Sequence, residues 1–127
     1  MILIIKNDEK PKICLSSNKH YEVAVLQTAV KLTSKNLKFG LLSIKSNLID
    51  SSDSNSSQSI VNLPIDSKKS WFYANSSFVT FHRLALRNLE YVSFEFIDTF
   101  DNTNYSCEKF FIKLEIRETN DWLQHIN

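Results

Sequence analysis

The chain has 127 residues, with 15 Lys plus Arg against 14 Asp plus Glu, a formal net charge of +1 and 43% hydrophobic residues. A single glycine excludes Gly-rich phosphate loops, GxGxxG fingerprints, GxSxG elbows and EF-hand loops, each of which needs several glycines or one at a fixed place. The balanced charge speaks against a dedicated nucleic-acid binder, which carries a basic excess to neutralise phosphates.

The length fits one domain, and the apolar content supports a core that needs neither disulfide nor metal. Cys14 and Cys107 stand far apart and in no metal-ligand spacing, which favours a reducing compartment. The apolar run that opens MILIIK is too short for a signal peptide, and nothing approaches the roughly 20 apolar residues of a membrane span. The expectation is therefore an intracellular protein of cytoplasm or nucleus, not bound to membrane. The sequons at Asn55, Asn75 and Asn104 then carry no glycan. With so little glycine, every turn except one near Gly40 is expected to use Asn, Asp or Ser, which tolerate left-handed backbone or bond their own main chain.

In chain order, residues 2–6 and 12–15 read as short strands. His20 to Leu32 is the first long run. Helix competes there, because Val23, Leu26, Ala29 and Val30 also fit a 3.6 period, but Tyr21, Val23, Val25 and Val30 favour a strand. Residues 37–48, 59–63, 70–74 and 77–84 follow as further strands. The segment DSSDSNSSQS, residues 50–59, is too polar to pack and reads as an exposed loop.

Residues 88–98 place Val92, Phe94 and Phe96 on one face, with Tyr91, Ser93 and Glu95 on the other. Residues 108–117 alternate in the same way: Phe110, Ile112, Leu114 and Ile116 oppose Lys109, Lys113, Glu115 and Arg117. The polar FDNTNYS between them predicts a hairpin. Residues 118–127 leave the alternation, and Trp122, Leu123 and Ile126 behind Asn120 predict a short helical tail. Eight or nine short strands with polar turns describe an all-β antiparallel sandwich or small barrel over 1–117, followed by a tail over 118–127.

No catalytic constellation emerges. His20, His82 and His125 lack a second ligand at metal spacing, and alternation puts Glu95 and Glu115 on a solvent face, balancing cross-strand cations such as Lys113. Lys31, Lys35, Lys38, Lys45, Arg83 and Arg87 form the one conceivable nucleic-acid surface, weighed down by interspersed acids. Trp71, Phe72 and Tyr73 are the most aromatic stretch. A strand buries only alternate side chains, so at least one of them faces outward or into a subunit contact. With Trp122 and Ile126 of the tail, they are the candidate protein-interface residues.

The order YEVAVLQTAV, LKFGLLSIKSNLIDSS, SIVNLPIDS, FHRLALRNLEYVSFEFIDTFDN and CEKFFIKLEIRE resembles the penton-like, minor-capsid β-sandwich proteins of Polinton/Maverick elements and adintovirus-like DNA viruses of eukaryotes. The residues that carry it are Glu22 to Val25, Ser46 to Ile49, Val92, Phe94, Phe96 and Asp98, and Ile112, Leu114 and Arg117, over about residues 13 to 117. The family's glycines near the terminal hairpin are absent here. The resemblance implies a single jelly roll, a non-enzymatic structural role and self-assembly, as a ring, with a virion location if the chain is viral. The expectations are thus a protein that is no enzyme, takes no cofactor or small-molecule substrate, and partners itself or another capsid or protein subunit. The alternative is an intracellular sandwich adaptor for another protein.

Overall fold

The computed structural model describes residues 1–7, 9, 11–16, 18–33, 40–49, 59–66, 68–75, 80–85, 88–100 and 102–119. Every regular element among them is a strand: β1 Ile2–Lys6, β2 Ile13–Cys14, β3 His20–Leu32, β4 Gly40–Ser46, β5 Ser59–Ile65, β6 Trp71–Asn75, β7 His82–Arg83, β8 Asn88–Leu89, β9 Phe94–Asp98 and β10 Cys107–Thr119. The predicted helical tail begins at Asn120 and so lies outside the described residues, as does most of the 50–59 loop.

The strands form antiparallel sheets. The largest runs β1-β10-β3-β6, with β7 continuing along β3 beside β6, a second runs β5-β4-β9, and β2 pairs β8. The two larger sheets share one core. Ile5, Val23, Val25, Val30, Ile112, Leu114 and Ile116 come from the first, while Leu42, Ile44, Leu63, Ile65 and Phe96 come from the second. Across the gap, the Phe110 ring meets Phe94 at 5.7 Å edge-on and Phe96 at 5.6 Å, a pair of aromatic contacts that ties sheet to sheet.

The spine is the β10–β3 ladder, and it contains the answer to the helix-or-strand ambiguity. Lys113 stands opposite Gln27 and Leu114 opposite Val25, so Leu26 is an extra residue that bulges out of β3. Before the bulge Val23 and Val25 face the core; after it Thr28, Val30 and Leu32 do. The phase reversal breaks the period of two and leaves a spacing that imitates a helix.

The predicted hairpin of 88–98 with 108–117 is corrected by the structure. β9 pairs β4, whereas β10 pairs β3 and β1, so the two strands lie in different sheets. β10 has 13 residues and finds in the 13-residue β3 a partner of its own length, which the five-residue β9 cannot supply. A local turn survives: Asp98 N donates to Thr103 O at 2.8 Å and Tyr105 N to Phe96 O at 2.8 Å, after which the chain crosses to the other sheet. The strand also runs past the expected boundary at Arg117, because Glu118 and Thr119 still pair with Tyr21 and His20 and Lys19 holds Glu118 at 3.4 Å.

Among the described residues, turns use Asn and Asp as composition demands. Asn7 and Asn102 take positive φ of 39° and 59°, and Asp66 accepts the Lys68 N–H at 2.9 Å. The expected turn role of Gly40 is corrected: it opens β4 and has no positive φ. What it supplies is space, since a Cβ there would stand 2.7 Å from Oδ2 of Asp98. Asp98 is 2% exposed, and its carboxyl group accepts the Phe100 N–H at 2.9 Å and the Tyr105 hydroxyl at 3.2 Å. Gly40→Ala is expected to cost about 1–3 kcal/mol in urea unfolding, and much less in an Asp98→Ala background, where the clashing oxygens are gone. Additive costs in that double-mutant cycle would contradict the packing.

Thr28 carries the one buried side-chain oxygen without a hydrogen-bond partner among the described residues. Thr28→Val keeps the shape and removes the orphaned hydroxyl, so the urea midpoint should rise, by about 1 kcal/mol of stability. A fall would show that the hydroxyl is satisfied.

Candidate interaction surface

Because β6 lies at a margin of the large sheet, its alternation decides what that margin shows. Phe72 turns inward and is buried, while Trp71 and Tyr73 turn outward, Trp71 half-buried and Tyr73 70% exposed. Their rings stack at 5.9 Å and 11°, a flat aromatic ledge. Beside it an open depression of about 750 Å³ is lined by Pro64, Asp66, Lys68, Lys69 and Ser70 together with the three aromatics. Flat, rigid aromatic surface is what the centre of a protein contact favours, and lysines beside it suit the solvated polar rim. Trp122 and Ile126 lie outside the described residues.

At the opposite margin, β1 points Leu3 and Ile5 into the core and leaves Ile2 50% and Ile4 46% exposed. Sequence reading placed this run as a strand without seeing its outer stripe. The signal was there: ILII is apolar on both faces, and a strand at a margin buries one of them.

The basic residues do not gather. Lys31 lies on the outer face of the large sheet and is held by Glu108 at 3.4 Å, whereas Lys45 lies on the outer face of the other sheet, opposite Glu95. Arg83 stands opposite Glu22, which is itself paired with Arg117, and the Arg117 guanidinium rests 3.5 Å above the Phe81 ring. Each described cation of that set thus faces a carboxylate. Lys35, Lys38 and Arg87 lie outside the described residues. Glu115 is half-buried and has Ile2 and Ala24 directly across from it, in place of the expected cross-strand cation.

Of the groups with reactive side chains, His82 is half-buried opposite Val23, and Cys14 is exposed opposite Asn88. The Cys107 thiol donates to Lys109 O at 3.0 Å, and burial pushes it up to about 11. Among the described residues no three of His, Cys, Asp and Glu come together as a metal site. No helix among them is long and apolar enough to cross a membrane.

Ser46 to Ile49, which carry part of the family resemblance, have a structural task. Ser46 Oγ accepts the Leu48 N–H at 3.2 Å, and Leu48 and Ile49 are buried. Asn47 donates to Tyr91 O and accepts from Ser93 N, both at 3.0 Å, pinning the approach to β9. No family model, curated protein or solved structure matches the chain.

At pH 8 roughly one Cys107 in a thousand is thiolate, given that value near 11. Iodoacetamide should therefore label Cys14 first, with Cys107 lagging by at least an order of magnitude in native protein and catching up in urea. Equal native rates by peptide mass spectrometry would contradict the burial of Cys107.

Proposed function

We propose that this chain is a non-enzymatic structural module, a capsid-type or capsid-derived jelly-roll sandwich that assembles with copies of itself. The observation that carries the reading is the large sheet itself. Both of its margins present apolar side chains to solvent, Ile2 and Ile4 on β1 and Tyr73 with Trp71 on β6. Margins of soluble sheets are ordinarily blunted by charge, proline or a bulge, because an open apolar margin recruits another chain. The resemblance to penton-like capsid sandwiches supports the same role, and the near-neutral charge suits close packing of like copies.

A second reading is a sandwich adaptor that takes another protein on the β6 ledge, favoured by the depression that Lys68, Lys69 and Asp66 line beside the aromatics. Sedimentation velocity from about 1 μM to about 1 mM separates the two, since that span covers association free energies of about 8 to about 4 kcal/mol. The expected result is a concentration-dependent oligomer. Tyr73→Ala, at an exposed position, should change partner binding but leave the melting temperature unmoved if the adaptor reading holds. A monomer at every concentration overturns self-assembly.

A further inference from the structure

The β1 margin carries more than exposed isoleucines. Met1 N donates to Ile116 O at 2.8 Å and Ile116 N to Met1 O at 2.8 Å, while Asn7 N donates to Phe110 O at 3.1 Å. In an antiparallel ladder the residues that exchange such bonds alternate with residues whose groups point away. The main-chain groups of Met1, Leu3, Ile5 and Asn7 therefore face β10, and those of Ile2, Ile4 and Lys6 face outward. Of these, Lys6 O is taken by Glu9 N at 2.9 Å. No described strand pairs with this outward side.

The charges along the margin are self-complementary. On the outer face Ile2 stands beside Glu115, Ile4 beside Lys113 and Lys6 beside Phe111. Neither Lys6 nor Glu115 has an ion-pair partner among the described residues. We infer that β1 pairs antiparallel with β1 of a second copy, about a twofold axis through Ile4. In that register Ile4 faces its own symmetry mate, and Ile2 faces Lys6 of the other copy. The outward N–H groups of Ile2, Ile4 and Lys6 and the carbonyls of Ile2 and Ile4 all gain partners, and the Lys6 carbonyl uses its second lone pair. Shifting the axis to Leu3 takes Lys6 out of register with every residue of β1, Ile2–Lys6. Across the junction, Lys6 of one copy lies two strand spacings, about 10 Å, from Glu115 of the other, a span the two side chains together bridge over Ile2. The twofold thus generates a reciprocal set of ion pairs flanking an Ile4 centre, and the large sheet becomes continuous through both copies.

This inference rests on the self-assembly reading and names its interface. Sedimentation velocity of the full chain is compared with Ile4→Lys, Lys6→Glu, Glu115→Lys and the Lys6→Glu, Glu115→Lys double variant, each checked for native circular dichroism. Ile4→Lys, which sets like charges face to face on the axis, should abolish the contact. Each single reversal should weaken association roughly two- to fivefold, and the double reversal should restore it. Amide exchange at Ile2, Ile4 and Lys6 should slow as protein concentration rises. If the full chain associates and these variants associate equally, with those amides unprotected, the β1 interface is overturned while self-assembly stands. If the full chain is monomeric throughout, both fall.

Discussion

The carboxyl group of Asp98 is the contact on which the two-sheet arrangement turns. It sits at the end of β9, buried, where the chain must leave one sheet and enter the other. Its oxygens collect the Phe100 N–H and the Tyr105 hydroxyl, so the start and the end of the crossing loop are tied to one point. Thr99 adds its N–H and hydroxyl to Leu41 O, binding the same loop to β4. A buried acid is tolerated only when hydrogen-bonded, and this one also needs room, which the hydrogen of Gly40 leaves. The chain's one glycine is thus spent on packing, while Asn7 and Asn102 handle the left-handed turns.

With that crossing in place, β10 is delivered to the far sheet between β3 and β1. From this position follow the Phe110 contacts with Phe94 and Phe96, the closing of the core, and the status of β1 and β6 as margins. The open side of β1 proposed to act in assembly therefore depends on where that loop delivers β10.

What was legible in the sequence was the all-β character and the place of nearly every strand, because a half-buried strand writes its burial into alternate residues. Which strand pairs with which was not legible, since alternation describes a strand's own faces and is silent about its partner. The Leu26 bulge was hidden as a false helical spacing. Asp98, by contrast, could have been found: it falls in phase with Val92, Phe94 and Phe96, and an acid on the apolar face of a strand calls for buried partners. The interface aromatics were legible in part, as three consecutive rings guarantee that at least one points out, and Tyr73 does.

The antiparallel run of β1 along β10 also has a mechanical side. Met1 lies beside Ile116, so the beginning of β1 and the last residues of β10 are at the same end of the pair. A pull applied through Met1 and Thr119 loads the ladder one bonded pair at a time, like a zipper, where force along the strands would load all pairs together. The sandwich is therefore soft to tension between these points, and a neighbouring strand laid along the outer side of β1 would act as a clasp against peeling.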